Sequence, residues 1–215
     1  MSTQQQRARA VLREAGHTLA EEARIRLADK PAPLWQLLVL VNLLSTRISA
    51  DIAIAAAREL NTAGGTTPHG MAGLTWQDRV DALGRAHYVR YDESTATRLG
   101  DCAAQVTDEY RGDLRRLANA AQHDRARLES RLQGFPGIGP TGAHMFCREA
   151  QDVWSWLRPY TDTLARRGAE AVGLPADEQA LGRLVDGHDM ARFTAGLTRV
   201  ARDSGLADTV RGAAR

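Results

Sequence analysis

Apolar positions recur along this chain at the three-to-four-residue interval of an amphipathic helix, and no stretch alternates convincingly at the period of a strand. Residues 4–28 predict one amphipathic helix rich in Ala, Arg and Glu. The run KPAP at 30–33 reads as a break, because two prolines favour an extended passage before a new helix starts. Residues 34–45 (LWQLLVLVNLLS) are apolar on nearly every face, interrupted by Gln36 and Asn42. That pattern predicts a central buried helix. Another helix, with Asp51 at its start, runs to about Leu60. A loop over 61–73 (NTAGGTTPHGMAG) follows. Further helices are expected at 75–84, 92–111, 113–121, 124–134 and 140–150. Beyond a Trp- and Pro-rich link they continue at 162–172, 177–186, 188–203 and 206–213. The expectation is an all-α protein, most simply arranged as two lobes.

A length of 215 residues allows one domain or two small lobes. The formal net charge is only +2, so affinity for an acidic polymer would have to come from a local patch. Lys30 is the one lysine, and every other strongly basic residue is arginine. Two cysteines, Cys102 and Cys147, provide neither a disulfide framework nor a four-cysteine zinc or iron–sulfur site. The first residues are polar, unlike a secretory signal, and the longest apolar run is too short to span a bilayer. A cytoplasmic protein is expected.

The most informative run is Phe135-Pro136-Gly137-Ile138-Gly139. Two glycines one residue apart permit a turn too tight for residues with a Cβ. Pro140 suits the first turn of the next helix, where no backbone donor is lost. The product is a helix, a short hairpin and a second helix whose open amino end favours an anion such as a phosphate. Ile138 would tuck between the helices. The same run could also be a bare helical corner with no ligand. Six arginines stand against three acids from Arg111 to Arg131, a basic excess that suits a DNA backbone but also an ordinary solvated face.

Together with its surroundings the sequence resembles the helix-hairpin-helix superfamily of DNA glycosylases, which includes endonuclease III and adenine glycosylase. The likeness rests on LLVLVNLLSTRISAD (37–51), LQGFPGIGPTGAHMF (132–146) and TDTLARR (161–167), in that order. It covers roughly residues 34–172. It implies a two-lobed helical glycosylase fold. One lobe, resembling a six-helix barrel, would span 34–135 and end in the hairpin. The other would be discontinuous, built from 1–30 plus 140–215.

The resemblance also implies roles. Asp162 becomes the catalytic carboxylate, stabilising the oxocarbenium-like sugar or activating water as the N-glycosidic bond breaks. As a plain residue it could equally cap or open a helix. Gly137, Ile138, Gly139 and Thr141 would bind DNA. Arg47 would wedge into the gap left by a flipped base, or be an ordinary surface arginine. The backbone carbonyls of Gln133, Phe135 and Ile138 would hold a monovalent cation. Trp154, Trp156 and His144 are pocket candidates, although the two tryptophans could serve as packing alone. Trp35 is expected in the core, and six scattered histidines suggest no metal site.

The chain departs from the family at Thr141, where bifunctional members carry a Schiff-base lysine. A guanidinium cannot substitute, since it stays protonated and is not a useful nucleophile. The carboxy-terminal iron–sulfur loop is also missing, because no cysteine follows Cys147. The expected activity is monofunctional removal of a damaged base from double-stranded DNA. Alkylated bases are favoured because they leave easily. The competing expectation is a non-catalytic DNA-binding protein of the same fold, used for lesion sensing or recruitment.

Overall fold

A computed structural model describes residues 2–213. Helices follow one another along the chain: α1 (Thr3–Ala15), α2 (Leu19–Glu22), α3 (Pro31–Leu44), α4 (Ala50–Thr62), α5 (Pro68–Gly73), α6 (Trp76–Arg85) and α7 (Asp92–Tyr110). After these come α8 (Arg115–Ala120), α9 (Arg125–Leu132), α10 (Pro140–Ala150), α11 (Thr163–Ala171), α12 (Glu178–Gly182), α13 (Met190–Val200) and α14 (Ser204–Gly212). Short 3-10 turns occupy Ser155–Leu157 and Gly187–Asp189. No strand occurs among the described residues. None of their helices is long and apolar enough to cross a membrane.

Helix starts follow the side chains that can satisfy free backbone donors. Ser2, Ser49, Thr67, Thr75, Asp124, Asp162, Asp177 and Asp203 each accept a backbone N–H of the turn they precede. Ser2 with Gln5 and Thr75 with Asp78 form reciprocal capping boxes.

Three expected elements differ. The helix anticipated over 4–28 ends at Ala15, where the Gly16 N–H bonds the Leu12 carbonyl at 3.0 Å. A Cβ on Gly16 would meet that carbonyl oxygen at 2.3 Å, so the chain can make this turn only at glycine. The run KPAP is no extended passage: Pro31 opens α3, where a missing N–H costs nothing. The expected loop at 61–73 holds α5, capped by Thr67 and begun by Pro68.

The chain divides into two compact units, Met1–Leu19 with Cys147–Arg215, and Ala20–Phe146. The expected central lobe of 34–135, ending in the hairpin, lies within the second of these units, which also takes in residues 20–33 and the first part of α10.

In the discontinuous unit, α13 packs against both α1 and α11. Small residues set the spacing. A Cβ on Gly168 would fall 1.9 Å from the Leu197 carbonyl oxygen, and one on Gly196 would fall 2.8 Å from the Val11 side chain. Val11, Ala169, Phe193, Leu197 and Val210 fill the core.

In the central unit, α3 is buried almost throughout and packs on α4 and α7. The donor groups of its polar interruptions have specific partners, which lowers the cost of burying them. The Trp35 indole donates to the Gly65 carbonyl at 3.0 Å and Gln36 to the Thr66 carbonyl at 3.3 Å. Asn42 serves the hairpin.

Candidate functional site: the hairpin and Asp162

The hairpin lies between α9 and α10. Phe135 and Ile138 are buried, whereas Gly137, Gly139 and Thr141 are exposed. Gly137 sits at φ +82°, a left-handed conformation that disfavours a Cβ. A Cβ there would also meet Arg98 and Asn42 at 3.1 Å. The Asn42 amide donates to the Pro136 carbonyl at 2.7 Å, so the turn is fastened to the buried helix α3. The Cys102 thiol also points at this carbonyl, at 3.5 Å. On the other flank, a Cβ on Gly142 would come within 2.7 Å of Ser45 Oγ, which shows how closely the first turn of α10 meets the end of α3.

The backbone N–H groups of Gly137, Gly139, Thr141 and Gly142 have no acceptor among the described residues. Together with the amino end of α10 they form a group of donors suited to an anion. Among the described residues the carbonyls of Gln133 and Ile138 accept no backbone N–H, while that of Phe135 accepts the Ile138 N–H at 3.0 Å. Oxygens left in this way fit the donor set of a monovalent cation.

Arg47 is exposed in the turn between α3 and α4, and its side chain makes no hydrogen bond or ion pair among the described residues. Its neighbour Thr46 shares a 2.7 Å hydrogen bond with the Tyr88 hydroxyl. The arginines of the basic run are not all available. Arg115 is held bidentately by Asp113, and Arg127 bonds the Gln122 side chain. Arg111 and Arg116 are exposed and make no side-chain hydrogen bond among the described residues. Lys30, the sole lysine, lines an apolar cavity of about 530 Å³ with Pro31, Pro33, Pro68, His69 and Arg111, and none of the hairpin residues takes part.

Asp162 lies in the discontinuous unit, before the first turn of α11. Oδ1 accepts the Ala165 N–H at 2.8 Å, as a helix cap does. Oδ2 accepts from the Arg148 guanidinium. The Asp162 side chain is only 7% exposed and that of Arg148 5%. Both carboxylate oxygens are therefore occupied in a nearly closed environment.

The segment leading to Asp162 is clamped by Gln151, which is wholly buried. Its amide nitrogen donates to the carbonyls of Arg148 and Tyr160 and to the Thr194 hydroxyl, each at 3.0 Å. Its oxygen accepts the Tyr160 N–H at 2.9 Å. The Thr161 N–H donates to Glu178 at 2.8 Å.

Trp154 and Trp156 stack on each other, with centroids 5.8 Å apart and planes at 22°. Trp154 is buried and Trp156 half-buried. His144 lies in the other unit, its Nε2 3.6 Å from a Glu129 carboxylate oxygen across the two hairpin helices. The sequence reading thus brought forward Asp162 and the hairpin but missed Asn42, Arg148, Gln151 and Glu178. Asn42 left a trace, as a polar residue inside an apolar helix. Arg148 and Gln151 left none, because their partners come from separate segments.

No protein-family profile matches the chain, and no curated protein matches it. Two solved structures are similar. A non-covalent complex of endonuclease III with DNA aligns with TM-score 0.51 at 16% identity, covering 92% of this chain and 85% of that one. A trapped covalent endonuclease III–DNA intermediate, an estranged-adenine complex, aligns with TM-score 0.49 at the same identity and coverage. The fold is that of endonuclease III. This all-α architecture agrees with the fold that the resemblance led us to expect.

Proposed function

We propose that this protein binds double-stranded DNA through the hairpin and hydrolyses the N-glycosidic bond of a damaged base. The observation that carries the reading is the conjunction of a hairpin with unpaired donors and a fixed carboxylate, Asp162, in a chain of the endonuclease III fold. Gly137, Ile138, Gly139 and Thr141 would receive a backbone phosphate. The hairpin carbonyls would hold a monovalent cation, and Arg47 would enter the space of the extruded base.

Asp162 fits a particular role. With one oxygen on a helix N–H and the other on Arg148, neither is well placed to take a proton from water. A fixed negative charge beside C1′ suits stabilisation of a developing oxocarbenium ion. This chemistry works best when the base leaves readily, so alkylated bases are the proposed substrates. Thr141 supplies no amine, which points to base removal without lysine-driven strand cleavage. No four-cysteine cluster is proposed, and the site of action would be the nucleoid.

The closure around Asp162 favours a second reading, in which the protein binds DNA without catalysis and serves lesion sensing or recruitment. Base release from a panel of lesion-bearing duplexes, with and without alkali, separates the two. Strand breaks that appear only after alkali and vanish in Asp162→Asn are expected. Tight duplex binding with no release from any lesion would select the second reading.

A further inference from the structure

We infer that Arg148 is a positioning residue, which orients the Asp162 carboxylate against the charge that forms on the sugar. The inference rests on the glycosylase reading and assigns a role to a residue that the sequence did not single out.

Capping alone does not require the arginine. Asp124, Asp177 and Asp203 cap α9, α12 and α14 through the same side-chain contact to a backbone N–H. These three are exposed, and among the described residues none pairs with a guanidinium. Asp162 makes that contact and is also sealed under Arg148. Stability does not explain the pair well either. A buried ion pair is costly to desolvate and often contributes no more than apolar residues of similar volume. Here that cost is not fully offset, because the Arg148 Nε is buried with no hydrogen-bond partner. An interaction retained despite such a cost is well suited to fixing a geometry.

The geometry is fixed from several sides. Oδ1 is set by α11 and Oδ2 by Arg148, which leaves the carboxylate plane little freedom. Arg148 stands in the last turn of α10, and its own carbonyl is tied to Gln151. Gln151 in turn holds Tyr160, two residues before Asp162. Arginine, helix cap and approach segment thus act on one side chain. A catalytic charge must be held to within a fraction of an ångström to be effective.

The test compares affinities of the full chain for two duplexes. One carries a neutral tetrahydrofuran abasic analogue and the other a cationic pyrrolidine analogue, which mimics the charged sugar. Wild type is expected to prefer the cationic duplex. Asp162→Asn and Arg148→Met should each lower that preference, the ratio of the two affinities, by roughly tenfold. Arg148→Lys, which keeps the charge but loses the planar fork, should fall between them.

A folded Arg148→Met that keeps the wild-type preference overturns the inference. If Arg148→Met does not fold, Arg148→Lys decides, and a preference equal to wild type overturns the inference. Equal wild-type affinity for both analogues also overturns it, since no fixed charge then faces the sugar. Base release is scored in parallel. A cationic preference that depends on Arg148, without release of any base, would overturn the glycosylase reading and leave the positioning role standing.

Discussion

The amide of Asn42, deep in the buried helix α3, donates to the carbonyl of Pro136 in the hairpin at 2.7 Å. The bond joins residues far apart in sequence and explains why an otherwise apolar helix tolerates an asparagine. The hairpin is therefore braced by the buried helix α3.

This bracing sets different tolerances for the two glycines of the turn. Gly137→Ala places a Cβ at positive φ and against Asn42 and Arg98. It should cost about 1–2 kcal/mol and weaken duplex binding. Gly139→Ala meets nothing within 4 Å and should stay within about 0.5 kcal/mol. Denaturant melts and duplex titrations of the two variants, side by side, check both values. Equal losses would mean that the turn is not held as described.

Thr141 is exposed at the second position of α10, so a lysine there can be accommodated. Borohydride treatment of wild type with a lesion duplex should trap no covalent complex. Thr141→Lys is expected to fold normally and to yield one, because it supplies the missing amine. Trapping by wild type would show that another nucleophile had been overlooked.

The contact between α11 and α13 depends on Gly168. A Cβ would overlap the Leu197 carbonyl, which is backbone and cannot swing aside. Gly168→Ala should destabilise the protein by about 1–3 kcal/mol, visible as a lower Tm. An unchanged Tm would show that the two helices can separate without loss.

Burial pushes the Cys102 thiol up to about 12 from an ordinary value of 9.0, with the Asp101 charge adding to the effect and Arg98 opposing it. The folded state therefore favours the protonated thiol. Its contribution to stability is complete below pH 9.0 and is lost as pH rises towards about 12. Alkaline denaturation over that window should be shallower in Cys102→Ala than in wild type. In the native protein at neutral pH, Cys102 should resist thiol reagents until the chain unfolds.

Much of this was legible in the sequence because it is local. Helical periodicity, the prolines at 31, 68 and 140, and the glycine pair at 137 and 139 carry their meaning within a few residues. The break at Gly16 was missed because the apolar period continues past it, and only the close approach to Leu12 reveals the stop. Asp162 was found through its flanking residues, and its capping contact is equally local. Arg148 was not, since nothing in the run HMFCREA marks the arginine as buried. An arginine is normally read as surface, and only the folded chain supplies the carboxylate that justifies its burial.

Gln151 gives the molecule a chemical clock. Its amide nitrogen donates to two backbone carbonyls, contacts that a carboxylate oxygen would turn into repulsions. Hydrolysis of that amide to a glutamate would replace the donor with an acceptor at the centre of the segment before Asp162. Buried as it is, the amide is shielded from water while the fold is intact. Each unfolding event exposes it, so a molecule that lost this amide while unfolded would refold with a loosened loop around its proposed catalytic charge.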